Sequence, residues 1–228
     1  MNDDKLIKFV QSIGYQLQNI YYSISVFKIL DDVDRDIFNK YSGKKIVIKP
    51  NFFCADYLHA VMNALYKNIL VVINNFYTSD SSFEQPSFPD LKKYIKEKYP
   101  QHFSILTSHQ QLFDEPQNLM KKIRIARNNI GGHTNINIDI QNKYEYLFEL
   151  LPEFTIFFRQ TFSKFSQIVF YLMDQGLLRT ANPKIISWTP LLDEFEHQIH
   201  DIWYKKIFDF IDADNEWLKI DKLTKWNK

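Results

Sequence analysis

The side chains best suited to chemistry on a phosphate lie in the stretch KKIRIARNNIGGHTN, residues 121–135. Arginine occurs only five times in the chain, against 23 lysines, yet Arg124 and Arg127 lie three residues apart. A guanidinium binds phosphate through a planar pair of hydrogen bonds, and His133 can accept or donate a proton near neutral pH. Arginine and histidine suffice for metal-independent RNA cleavage, in which a base removes the ribose 2′-OH proton and the cation stabilises the phosphate charge.

The spacing of these residues requires a break in the helix. Arg127 and His133 are six residues apart, about 600° around an ideal helix, so a continuous helix would place them on different faces. Gly131 and Gly132 can end the helix and let His133 fold back toward Arg127, or toward a symmetry-related copy. Asn128 could then orient the imidazole or contact the phosphate.

The segment RNNIGGH, residues 127–133, resembles the R-x(4–6)-H motif of the HEPN superfamily, which often has a polar residue directly after the arginine. A long helix before the motif, a polar loop and an aromatic helix after it also resemble HEPN proteins of the abortive-infection type. The resemblance extends over about residues 50–175. The double glycine departs from the helix-compatible residues of many members.

The resemblance implies a dimer in which the motifs of two subunits face one cleft and cleave RNA without metal or other cofactor. Such domains act in toxin–antitoxin systems, antiphage defence and RNA processing. Carried over, Arg127 would bind and stabilise phosphate, His133 would be the acid/base, and Asn128 would support them. Some members are inactive, so the alternative is a helical module that dimerises or binds a partner such as a nucleotidyltransferase-type antitoxin.

Three further cations precede the motif, namely Lys121, Lys122 and Arg124. We predict that they guide RNA toward the site, which would make binding sensitive to salt. The alternative interpretation is an ordinary solvated helix face.

A second group of candidate ligands is DEFEHQIHD, residues 193–201. Glu194 and His197 have the E-x-x-H spacing of carboxylate-bridged metal bundles, and His200 follows them. Such a site needs matching ligands on other helices, and no second E-x-x-H is present. We therefore predict a polar helix face and no metal site.

The elements that would position these residues are helical. Apolar residues recur at steps of three and four, and the five glycines of the chain argue against a turn-rich β protein. We predict an all-α bundle of four to five main helices, with a short two-stranded β element left open between residues 41–50 and 134–140. The predicted helices cover 3–30, a segment after Asn51 ending near Phe76, 90–98, 108–114, 116–131, Pro152 to Gly176, and 189–212.

The bulk properties limit the class of protein. We predict a single domain over 1–228, with its core at about 50–175 and flanking helices at 3–30 and 189–212. A formal net charge of +1 excludes a generally basic nucleic-acid binder, so any RNA contact must come from a local patch. The single cysteine indicates a reducing compartment, and the acidic start lacks a secretory apolar core. We therefore expect a cytoplasmic protein with no membrane span.

Overall fold

The computed structural model describes residues 3–41, 53–79, 86–108, 111–127, 151–178, 198, 200–210 and 212. Regular structure in these residues is entirely helical, which confirms the predicted all-α class. The proposed β element, at 41–50 and 134–140, lies outside them except for Tyr41. The helices are α1 (Asp4–Tyr41), α2 (Phe53–Phe76), α3 (Phe88–Lys98), α4 (Pro100–Ser108), α5 (Gln117–Ala126), α6 (Leu151–Asp174) and α7 (200–210).

Two helices differ from the sequence predictions, one in its length and one in its position. Helix α1 continues past residue 30 to Tyr41, because residues 31–41 contain no glycine or proline and Arg35 pairs with Asp31 one turn earlier. The short helix predicted at 108–114 lies at Pro100–Ser108 instead. Proline suits the first turn of a helix, since its missing N–H has no partner to lose there.

The chain divides into two compact units, and α1 and α2 each contribute to both. The first unit contains residues 1–24 and 67–190, and the second contains residues 25–66 and 191–228. The single-domain assignment stays a prediction. Among the described residues, no helix combines the length and apolar character needed to cross a bilayer.

The core of the first unit is built around a cluster of aromatic rings. Phe76 of α2 lies 5.2 Å from Phe88 of α3 between ring centroids, and Tyr77 lies 5.9 Å from Phe157 of α6. Phe113, in the segment before α5, joins the cluster at 5.6 Å from Phe88. Burying each ring stabilises the fold by about 1.5–3 kcal/mol. The cluster thereby fixes the segment from which α5 begins.

The start of α3 and the end of α6 carry recognisable capping motifs. Ser87 caps α3 in a capping box, in which Asp90 accepts a 2.8 Å hydrogen bond from the Ser87 amide. Gly176 ends α6 at φ 68, and the next amide, of Leu177, donates to the carbonyl of Leu172 at 2.9 Å. This is the Schellman pattern, and it confirms Gly176 as the predicted stop.

In the second unit, α1 and α2 share an apolar core and α7 joins α1 through polar contacts. Phe27 and Val33 of α1 are buried, as are Met62 and Tyr66 of α2. The Phe27 and Tyr66 rings lie 6.0 Å apart.

Candidate functional site

Helix α5 presents its cations on different sides. Met120, Ile123 and Ala126 are fully buried and define the inner face. Lys121 is exposed on the outer side, near Ile125, which is 44% exposed. Arg127 follows Ile123 by four residues, so it lies on the inner side at the edge of the core. Lys121 and Arg127 are therefore about 120° apart around the helix, and the predicted cations do not form one face.

Two of the predicted RNA-binding residues are ion-paired within the first unit. Lys122 pairs with Glu153 of α6. Arg124 pairs with Glu115, in the segment before α5, at 2.8 Å. Both cations remain about half exposed, so each pair is screened by water. The pairs reduce the local positive charge, and RNA phosphate would have to compete with the two carboxylates.

The segment before α5 is held by several contacts besides the ion pair of Glu115. Lys164 of α6 donates a 3.2 Å hydrogen bond to the carbonyl of Asp114, next to Glu115. Phe113, one residue earlier, is buried in the aromatic cluster. The segment before α5 is thus anchored by ring packing, a backbone hydrogen bond and an ion pair. These contacts position the basic helix and Arg127, which caps its carboxyl end.

Arg127 lies at the carboxyl end of α5. Its backbone is helical (φ −58, ψ −46), and its amide donates to the carbonyls of Arg124 and Ile123. Its side chain is half-buried and has no ion pair with any residue that the structure describes. A half-buried guanidinium without a carboxylate partner among these residues offers its planar set of donors at the margin of the apolar core. That arrangement suits a bidentate contact with phosphate.

The remaining motif residues, Asn128 and His133, lie outside the described part of the chain. The structure therefore positions Arg127, Lys121, Lys122 and Arg124, and the meeting of Arg127 with His133 stays a prediction.

Of the second group of candidate ligands, the structure describes His200 and Asp201, whose side chains lie 3.6 Å apart. Glu194 and His197 lie outside the described residues. His200 lies 2.9 Å from a carboxylate oxygen of Asp32 on α1, and its ring stacks on Tyr204. Among the described residues, no cluster of three or more histidine, cysteine or acidic side chains could hold a metal ion. His200 is engaged in packing α7 against α1.

A polar cluster that the sequence analysis missed lies at the start of α1. Asp3 caps the helix by accepting hydrogen bonds from the amides of Lys5 and Leu6, both at 3.1 Å. Its carboxylate also accepts hydrogen bonds from the phenols of Tyr94 at 2.7 Å and Tyr99 at 2.6 Å. An aspartate directly before an apolar helix is a pattern from which a helix cap can be predicted. Its partners, more than 90 residues away, are not readable from the sequence.

Each hydrogen bond shifts the titration of its partners. Burial acts to raise the pKa of Asp3, but the hydrogen bonds from Tyr99, Tyr94 and the two amides together bring it below the ordinary value of 3.8. Burial and the hydrogen bond to Asp3 raise the pKa of Tyr94 to about 12, and they raise the pKa of Tyr99 further. The phenols therefore stay protonated donors across the physiological range.

Fold and site together define an all-α protein with a basic helix that ends in a half-buried arginine. Comparisons of the chain with protein-family models, with curated proteins and with solved structures find no match.

Proposed function

We propose that this protein is a HEPN-like, metal-independent endoribonuclease that acts as a cytoplasmic dimer in bacterial defence or in a toxin–antitoxin pair. The observation that carries the proposal is the position of Arg127, at the end of an internal basic helix of an all-α fold. The sequence supports it through the R-x(5)-H spacing from Arg127 to His133.

In this proposal the imidazole of His133 removes the proton from a ribose 2′-OH. The 2′ oxygen forms a bond to its own phosphorus, and the bond to the 5′ oxygen of the next nucleotide breaks. The leaving oxygen takes a proton from a protonated imidazole, which the dimer supplies from either copy. Arg127 stabilises the negative charge on the phosphate oxygens, and Asn128 orients the imidazole. The products carry 2′,3′-cyclic phosphate and 5′-hydroxyl ends.

Lys121, Lys122 and Arg124 guide RNA toward this centre. Lys121 has no ion pair among the described residues, whereas Lys122 and Arg124 exchange their carboxylate partners for phosphate. Each lost phosphate contact lowers the salt dependence of RNA binding by about one unit of slope.

The test is cleavage of a defined RNA in EDTA, with analysis of the product ends. Arg127→Ala and His133→Ala are each expected to lower the cleavage rate by about 100-fold or more, because each removes charge stabilisation or proton transfer. Arg35→Ala is the matched control, since it removes an exposed arginine that pairs with Asp31 on α1 and belongs to neither the motif nor the predicted RNA-binding residues. Cleavage that is unaffected by both motif changes, or equally lost in the control, contradicts the proposal.

A second candidate is a catalytically inactive helical module that dimerises or binds a partner, such as a nucleotidyltransferase-type antitoxin. The observation in its favour is the engagement of Lys122 and Arg124 in ion pairs within the fold. Under this alternative, purified protein binds its partner and leaves RNA intact in EDTA. His133→Ala then leaves partner binding unchanged.

A further inference from the structure

Helix α7 places its polar side against α1. His200, Tyr204 and Phe208 follow each other at four-residue steps, and their rings stack at 5.7 and 5.8 Å. Each of the three contacts a residue of α1 that lies on a matching four-residue step. His200 contacts Asp32, Tyr204 donates to Asp36, and the ammonium of Lys40 lies 5.7 Å from the Phe208 ring. Lys40 also pairs with Asp212.

The opposite side of α7 carries large apolar side chains that are exposed. Ile202, Trp203 and Phe210 are 55%, 52% and 67% exposed. At about 100° per residue, these three lie away from Tyr204 and around Lys206. An amphipathic helix normally buries its apolar side, so the inverted orientation of α7 indicates a contact beyond those made among the described residues.

Charges within this apolar surface indicate what covers it. Lys206 lies in the middle of the three apolar residues, and its ammonium rests 5.4 Å from the Trp203 ring. Asp209 is exposed one turn later on the same side. Neither Lys206 nor Asp209 has an ion pair with another described residue. A lysine surrounded by large apolar side chains needs an anion once that surface is covered.

We infer that the Ile202–Trp203–Lys206–Asp209–Phe210 face of α7 is a self-association surface that pairs antiparallel with the same face of a second copy. An antiparallel pair about a two-fold axis between residues 207 and 208 sets Lys206 opposite Asp209 of the other copy, and the reverse. The two ion pairs then lie nearest the two-fold axis, and Trp203 and Phe210 of the two copies flank them on both sides. A parallel pair would set Lys206 against Lys206, which is repulsive.

The surface has the composition of an interface centre. Trp and Phe are enriched in the buried parts of interfaces, and a two-fold contact must be complementary to itself. The inference rests on the proposed function in one respect: that function expects a dimer, and this surface would supply the dimer contact. Self-association can be measured without RNA, so the two can fail separately.

The experiment measures oligomeric state by analytical ultracentrifugation of the full chain. Wild type is expected to be a dimer at micromolar concentration. The double variant Trp203→Glu with Phe210→Glu is expected to be monomeric with an unchanged helical circular dichroism spectrum, since both side chains are exposed in the single chain. The matched control is Lys205→Glu, because Lys205 is an exposed neighbour on the same helix that borders the polar side.

Charge reversal tests the antiparallel arrangement. Lys206→Asp and Asp209→Lys each set like charges opposite one another, and each is expected to raise the dimer Kd by about tenfold or more. The combined variant restores the opposite-charge pairs and is expected to return the Kd close to that of wild type. A monomeric wild type, or a dimer unaffected by the Trp203 and Phe210 changes, overturns the inference. Failure of the combined variant to recover overturns the antiparallel pairing.

RNA cleavage measured on the same variants separates the two proposals. If RNA is cut and the α7 variants remain dimers, the self-association surface is wrong and the nuclease proposal stands. If α7 variants are monomeric and wild-type protein leaves RNA intact in EDTA, the surface stands and the nuclease proposal is wrong.

Discussion

Replacing Asp3 by alanine tests how the start of α1 is held. The change removes a helix cap, worth about 1 kcal/mol, and leaves two tyrosine hydroxyls without their acceptor. Each phenol–carboxylate hydrogen bond adds about 0.5–1 kcal/mol, which is below the usual contribution of bonds to charged groups because water reaches this cluster. We expect Asp3→Ala to lower the free energy of unfolding by roughly 2–3 kcal/mol in total.

Urea unfolding followed by circular dichroism measures this loss as a lower midpoint. The matched control is Asp4→Ala, which removes the same charge one residue later, where the carboxylate is exposed. It is expected to cost at most about 0.5 kcal/mol through the helix dipole. In an Asp3→Ala background, Tyr99→Phe should cost almost nothing, because its acceptor is already gone. Equal losses from the two aspartates, or an undiminished Tyr99 effect, would refute the reasoning.

The hydrogen bonds of Asp3 also predict that the stability of the fold depends on pH. The pKa of Asp3 is lower in the folded protein than in the unfolded chain, so its carboxylate stabilises the fold above the unfolded pKa. That contribution is lost as the pH falls through the folded pKa. The difference in stability between wild type and Asp3→Ala should therefore be full above about pH 5 and shrink below about pH 4.

Two further stability predictions concern single positions in the first unit. Gly176→Ala is expected to lower the free energy of unfolding by about 1 kcal/mol, because φ at this residue is +68. The loss should not be larger, since an added Cβ would meet no atom within 4 Å. A loss of stability in thermal denaturation much above this value would show that packing rather than backbone strain governs the site. Tyr77→Phe is expected to be neutral or slightly stabilising, because burial raises the pKa of this phenol to about 12 and its oxygen has no well-formed hydrogen bond. A loss of 2 kcal/mol or more on urea unfolding would mean that the nearby hydroxyl of Thr161 is a strong partner after all.

Local sequence patterns were sufficient to predict most of the helices and their inner faces. On α1, the apolar residues that recur at steps of three and four from Leu6 to Phe27 are nearly all buried, and so are Ile69, Ile73 and Phe76 on α2. The stop at Gly176 was also readable. Periodicity and caps act over a few residues, so the information needed to predict them lies within a single helix.

Spatial relations between distant residues could not be predicted in this way. The sequence showed three cations before the motif, but it could not show that Glu115 and Glu153 would pair with Arg124 and Lys122. Nor could it show that Tyr94 and Tyr99 would meet Asp3. Such contacts join residues that no local pattern relates.

Helix α7 shows most clearly which features the sequence could predict and which required the tertiary structure. Its amphipathic sequence predicted a helix with an apolar stripe. Only the tertiary structure decided that the polar side of α7 would face α1 and that Trp203 and Phe210 would stay exposed. A helix can be specified by the spacing of its own residues, whereas its orientation depends on which charges and rings the neighbouring helix offers it.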